Sequence, residues 1–105
     1  MGSADRPLPA ELAAIVSGLV AEVEEVAEQL GDEEAASDIE EFARALRKVH
    51  DDVQEVAAMA PDSGELEAAV RHLREARDLV DDGMPPDAVI FEVLAARAQL
   101  AVSLG

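Results

Sequence analysis

The sequence predicts an all-α protein, a single-domain, up-down-up-down antiparallel four-helix bundle. Half of its 105 residues are apolar although only two are aromatic, so Leu, Val, Ile and Ala must form the core, and these residues suit closely packed helices. Apolar residues recur every three or four positions along four segments, which is the spacing of a helix face. The short breaks between the segments favour antiparallel neighbours. We expect residues 1–7 to be a leader and residues 8–105 to form the bundle.

Helix 1 is predicted over about residues 9–30. Pro7 and Pro9 precede it, and Pro is favoured at a helix start. Gly31 follows it and suits the position just after a helix end. The apolar stripe of this helix is Leu12, Ile15, Val16, Leu19, Val23, Val26 and Leu30.

Helix 2 is predicted over about residues 32–60. Asp32 can cap its first turn, where Glu33 and Glu34 suit the positive end of the helix dipole. Its apolar stripe is Ile39, Phe42, Leu46, Val49, Val53, Val56 and Ala60.

Helix 3 is predicted over about residues 64–82 and helix 4 over about 86–104. The turn Pro61-Asp62-Ser63-Gly64 precedes helix 3, with Asp62 and Glu65 at capping-box spacing. Gly83 is expected to end helix 3, and Pro86 to begin helix 4. The stripe of helix 3 is Leu66, Ala69, Val70, Leu73, Ala76 and Val80.

The net charge is −16, from 24 acidic and 8 basic residues. Such a chain repels phosphate, so nucleic acid and anionic membranes are poor partners. The uncharged run from Leu12 to Ala21 is too short to cross a bilayer and does not resemble a signal peptide. We therefore expect a soluble protein, cytoplasmic on expression. The absence of Cys excludes disulfides and thiolate sites.

His50 is the best candidate for a site residue. It falls inside the apolar arc of helix 2, whereas His72 falls at the boundary of helix 3. At about 1.5 Å of rise per residue, antiparallel counting places His50 level with small side chains on the other helices. A ligand cavity is one interpretation. The other is a seam residue bonded to a carboxylate or a carbonyl.

Gly18 and helix 4 point to a different kind of function. A mid-helix Gly is unfavourable, and Gly18 belongs to a small-residue surface of helix 1 made by Ala14, Ser17, Gly18 and Ala21. Helix 4 carries only Glu92 and Arg97 as charges after Asp87. A helix that is apolar all round is usually buried on all sides. Helices 1 and 4 are therefore expected either to pack deeply or to contact another copy or partner. Alternatively, Gly18 makes room for a bulky neighbour such as Phe91.

Several chemistries are disfavoured. No Glu-x-x-His pair is present for a di-iron site, and no inward carboxylates complete a zinc site around the histidines. Lys48 lies outside the helix 2 stripe, which argues against a desolvated Schiff-base lysine. Whether the protein is an enzyme stays open, with His50 as a possible general base.

The chain contains no Thr, Asn, Tyr, Trp or Cys, and its helices are separated by Leu-Gly-Asp, Pro-Asp-Ser-Gly and Gly-Met-Pro-Pro-Asp after a Met-Gly-Ser leader. In these features it resembles computationally (de novo) designed helical bundles, since such a vocabulary follows from optimising helix propensity. The inward His50 makes it similar to designed four-helix bundles that hold a haem or related metalloporphyrin. An acidic, Ala-rich natural interaction module is the alternative, and the absence of Thr argues against it.

The resemblance implies a function and a set of residues. His50 would be the axial metal ligand, and Arg77 or Arg97 would meet the propionates. The implied pocket walls are Ala14, Ala76, Leu94 and Ala95. The sequence shows no evident acceptor for the second ring nitrogen of His50, which departs from the resemblance. The alternative function is a self-associating or partner-binding bundle that uses the small-residue surface of helix 1 together with helix 4.

Overall fold

The computed structural model describes residues 10–31 and 39–104. This part of the chain forms four α-helices and no strand: α1 Ala10–Gly31, α2 Ile39–Met59, α3 Gly64–Asp81 and α4 Pro86–Ser103. The predicted all-α four-helix bundle is confirmed. The expected leader at residues 1–7, the prolines before α1, the Asp32 cap and the acidic pair after it lie outside the described residues.

Each helix packs against two neighbours, so the bundle is a closed square in the order α1, α2, α3, α4. Links of a few residues join α2 to α3 and α3 to α4, which makes these pairs antiparallel. The core lies along the central axis, where every helix contributes one stripe. Its largest fully buried side chains are Leu46, Leu66, Leu73, Leu100, Val16, Val23, Val53, Val89 and Val93.

The α2–α3 turn differs from the predicted capping box. The helix begins at Gly64, so Ser63 is the N-cap residue, and its Oγ accepts a hydrogen bond of 3.2 Å from the Leu66 backbone N–H. The prediction that Asp62 caps α3 is wrong, because Asp62 lies one residue too early to reach the free N–H groups of the first turn.

The α3–α4 turn confirms Gly83 as a helix stop. Gly83 has φ 73°, a conformation that favours glycine. The Gly83 N–H bonds the Val80 carbonyl at 3.0 Å, and the Met84 N–H bonds the Leu79 carbonyl at 2.9 Å. These two bonds form a Schellman motif that satisfies the last carbonyls of α3. Gly31, in contrast, is helical and has no positive φ, and the residues after it lie outside the described part of the chain.

Candidate functional site

His50 points into the bundle as predicted, with 4% of its surface exposed. Its Nδ1 lies 3.2 Å from Oδ1 of Asp51, the next residue. A carboxylate only accepts hydrogen bonds, so Nδ1 carries the proton in this contact. The other ring nitrogen, Nε2, is buried and has no hydrogen-bond partner among the described residues. The carboxylate contact that was expected of a seam histidine is therefore made by one nitrogen, and the other is left unsatisfied.

The four expected pocket walls do not surround His50. Ala76 is buried and Ala95 is half-buried, but Ala14 and Leu94 are exposed on the outside of α1 and α4. The prediction placed these two residues by their height along the bundle alone, and as exposed residues they do not form walls of a pocket around the buried His50. The inward stripe of α1 is instead Val16, Leu19, Val23 and Val26, and that of α4 is Val89, Val93, Ala96 and Leu100.

The two arginines expected near propionates lie at boundaries. Arg77 is half-buried. Arg97 Nε donates a 2.7 Å hydrogen bond to Oε1 of Glu24, which joins α4 to α1 across a solvent-exposed seam. Arg97 therefore already has a carboxylate partner in the chain. His50 offers a nitrogen to a metal, but the predicted porphyrin set does not converge around it. Within the described ranges, no group of three or more His, Asp or Glu residues is placed to hold a metal ion.

His72 lies at the boundary, as expected, with 36% of its side chain exposed. Its Nδ1 is 2.8 Å from Oε1 of Glu92, and this pair links α3 to α4. The two charged residues of α4 beyond Asp87 are thus turned sideways, Glu92 toward α3 and Arg97 toward α1.

This leaves an apolar surface on the outside of α4. Phe91 is 72% exposed, Val102 is 59% exposed and Leu94 is 45% exposed. We call this surface the α4 outer face, made by Phe91, Leu94, Ala98, Ala101 and Val102. The bundle buries only the opposite stripe of α4, so of the two expectations for this helix, deep packing is wrong.

The small-residue surface of α1 is exposed as well. Ala14, Ser17, Gly18 and Ala21 all face solvent, and we call these four residues the α1 small-residue face. A Cβ built on Gly18 would meet nothing within 4 Å. The alternative prediction, that Gly18 makes room for Phe91, is therefore wrong.

A groove between α1 and α2 was not anticipated from the sequence. It has a volume of about 490 Å³ and is lined by Ile15, Gly18, Leu19, Glu22, Asp52, Glu55, Val56 and Met59. We call it the α1–α2 groove. The signal in the sequence is the spacing of its residues, at 15, 18 and 22 on α1 and at 52, 55 and 59 on α2, which places each set on one helix flank.

No protein-family model, curated protein or solved structure matches this chain. None of the helices described is long and apolar enough to cross a membrane.

The α1–α2 groove has more negative than positive charges. Lys48 Nζ donates to Asp52 Oδ2 at 3.0 Å and to Glu22 Oε1 at 3.3 Å. The hydrogen bond to Asp52, followed by that to Glu22, raises the pKa of Lys48 above its ordinary value. Glu55 also lines the groove and has no ion-pair partner within the described part of the chain. Two carboxylates therefore share one ammonium group while Glu55 is unpaired among the described residues, and the groove carries a net negative charge.

Proposed function

We propose that this protein is an association module that binds a second copy of itself through the α4 outer face and the adjoining α1 small-residue face. One observation carries the proposal: Phe91 is 72% exposed on a helix face whose other residues are apolar apart from Asp87, one turn before it. Burying an aromatic side chain contributes more to an interface than burying most other residues.

A second copy is the partner that this surface suits best. Glu92 and Arg97, which flank this surface, are already paired within the chain, and Asp87 lies at its N-terminal edge. The rest of the surface is apolar, so it offers little to a charged partner, and another copy presents the same apolar side chains. The small side chains of α1 also permit close approach of a helix from outside.

The two faces adjoin because α1 and α4 pack against each other. The square, antiparallel order brings the C-terminal half of α4 to the same end of the bundle as the N-terminal half of α1. The Arg97–Glu24 pair holds the two helices together at this seam. Ser17 and Ala21 therefore lie toward the same end of the bundle as Ala98 and Ala101, with the exposed Arg97–Glu24 pair at the seam between the two faces.

The size of the surface predicts weak association. The α4 outer face runs from Phe91 to Val102 and the α1 small-residue face from Ala14 to Ala21, which are about 17 Å and about 11 Å of helix. At a width of about 10 Å the two faces supply roughly 280 Å² per copy, well below the ~800 Å² of a standard interface. The net charge of −16 on each copy adds repulsion that salt screens. We expect a weak dimer, with a Kd on the order of 1 mM, that tightens as salt is added.

Sedimentation equilibrium of the unmodified protein and of Phe91→Glu tests the proposal. The substitution replaces the largest side chain of the α4 outer face with a carboxylate, which association would have to take out of water. Met84→Glu is the matched control, because Met84 is 46% exposed but lies in the α3–α4 turn. Dimers in the unmodified protein and in Met84→Glu, with monomers in Phe91→Glu, support the proposal. Equal association of both variants would count against it.

A second candidate function is ligation of a metalloporphyrin by His50. It is favoured by the unpartnered Nε2, which carries a free lone pair when Nδ1 holds the proton. Binding would require the helices around His50 to separate, because this residue is 4% exposed. A haem titration with His50→Ala, and with His72→Ala as the control, decides it. A saturable Soret shift that only His50→Ala abolishes supports ligation. No saturable binding, or binding unchanged in His50→Ala, would refute it.

A further inference from the structure

The α1–α2 groove combines an apolar floor with carboxylates. Ile15, Leu19, Val56 and Met59 supply hydrocarbon surface, and Ile15 and Met59 are 46% and 54% exposed. Glu22, Asp52 and Glu55 line the same groove. It lies on the flank of α1 that faces α2, away from the seam with α4. Gly18 belongs to both this groove and the α1 small-residue face, but every other lining residue lies outside the surface proposed for self-association.

We infer that the α1–α2 groove binds a small hydrophobic cation, an organic ammonium with an alkyl or aryl body. Charge complementarity selects the cation, since Lys48 is the one ammonium group among three carboxylates. The apolar floor selects a hydrocarbon body. An anion of the same shape would meet Glu55 without a compensating charge.

The dimensions of the groove select a small molecule instead of a partner helix. Its volume of about 490 Å³ lies within the range of ligand pockets, roughly 300–1,000 Å³. Along α1 its lining runs from Ile15 to Glu22, which is about 10 Å of helix. A docked amphipathic helix needs several turns of apolar surface, and this groove offers about two.

Gly18 gives a way to block the groove without unfolding the protein. It lines the groove, and a Cβ at this position meets nothing within 4 Å. Leu is a much better helix former than Gly. Gly18→Leu should therefore fill the groove with a side chain while strengthening α1.

Glu55 tests the electrostatic part of the inference. Glu55→Gln removes one carboxylate from the groove and keeps the shape of the side chain. Glu75→Gln is its matched control, because Glu75 is exposed on α3 and the substitution removes one negative charge from the protein, as Glu55→Gln does. A general attraction of cations to this acidic protein would respond equally to both variants.

The experiment follows backbone amide NMR shifts during titration with phenylbutylammonium, and with phenylbutanol and phenylbutanoate as neutral and anionic counterparts. It uses the full chain, and it is repeated in Phe91→Glu so that self-association cannot contribute. We expect saturable shifts at Ile15, Gly18 and Met59 with the cation, with a Kd on the order of 1 mM. The anion should bind at least about tenfold more weakly than the cation. Added salt should weaken binding of the cation, because it screens the carboxylates.

Gly18→Leu should reduce cation binding at least about tenfold, and Glu55→Gln should reduce it severalfold more than Glu75→Gln does. Equal binding of cation and anion would overturn the inference. So would shifts that map outside the groove, or binding that Gly18→Leu leaves unchanged. Because this result does not depend on dimer formation, either proposal can fail while the other stands.

Discussion

Gly18→Ala should stabilise the monomeric protein. Gly18 lies in the interior of α1, where Ala is more favourable than Gly by about 1 kcal/mol. A new Cβ meets nothing within 4 Å, so neither a clash nor a new contact changes this value. For a chain of 105 residues the unfolding entropy near 60 °C is roughly 220 cal/mol/K, so 1 kcal/mol raises Tm by about 4–5 °C. Thermal unfolding in dilute solution, followed by far-ultraviolet circular dichroism, measures the shift.

Gly83→Ala is the matched control, and its effect should have the opposite sign. Gly83 has φ 73°, a conformation in which an L residue is less favourable than glycine by about 1–2 kcal/mol. Its built Cβ also has open space around it, so the two positions differ in backbone conformation and not in crowding. The reasoning is refuted if Gly18→Ala lowers Tm, or if both variants shift Tm in the same direction.

His50→Leu should stabilise the protein by about 1–2 kcal/mol. The substitution removes a buried nitrogen that has no partner and fills the same space with an apolar side chain of similar size. Urea unfolding measures the free energy of unfolding. The control is His72→Leu, which breaks the ion pair with Glu92 and should not stabilise the protein. A loss of stability in His50→Leu would mean that Nε2 of His50 has a hydrogen-bond partner. Ser63→Ala should destabilise by about 1 kcal/mol through loss of the N-cap, whereas Asp62→Ala should change stability by less than about 0.5 kcal/mol. A larger loss of stability in Asp62→Ala than in Ser63→Ala would mean that Asp62 is the N-cap residue.

The fold was predictable because helix faces follow from spacing alone. Val16, Leu19 and Val23 fall on one side of α1 whatever surrounds them, and all three are buried. For α4 this argument could not select a side, because its residues are apolar all round. Only the positions of α1 and α3 show that Val93 faces the core and Phe91 faces out.

The candidate sites required more than spacing. The inward position of His50 follows from the arc of α2, but the partners of its side chain depend on its rotamer and on its sequence neighbour Asp51. Ala14 and Leu94 were placed by height along the bundle, which says nothing about which way a side chain points. The α1–α2 groove depends on the flanks of two helices together, and patterns within single helices do not contain that information.

Sedimentation equilibrium at about 0.15 M and about 1 M salt, comparing the unmodified protein with Phe91→Glu, tests the central claim most directly. Self-association through the α4 outer face predicts a dimer that tightens at the higher salt concentration and that Phe91→Glu abolishes at both. A monomer at every concentration and both salt levels, or a dimer that Phe91→Glu leaves intact, would contradict it.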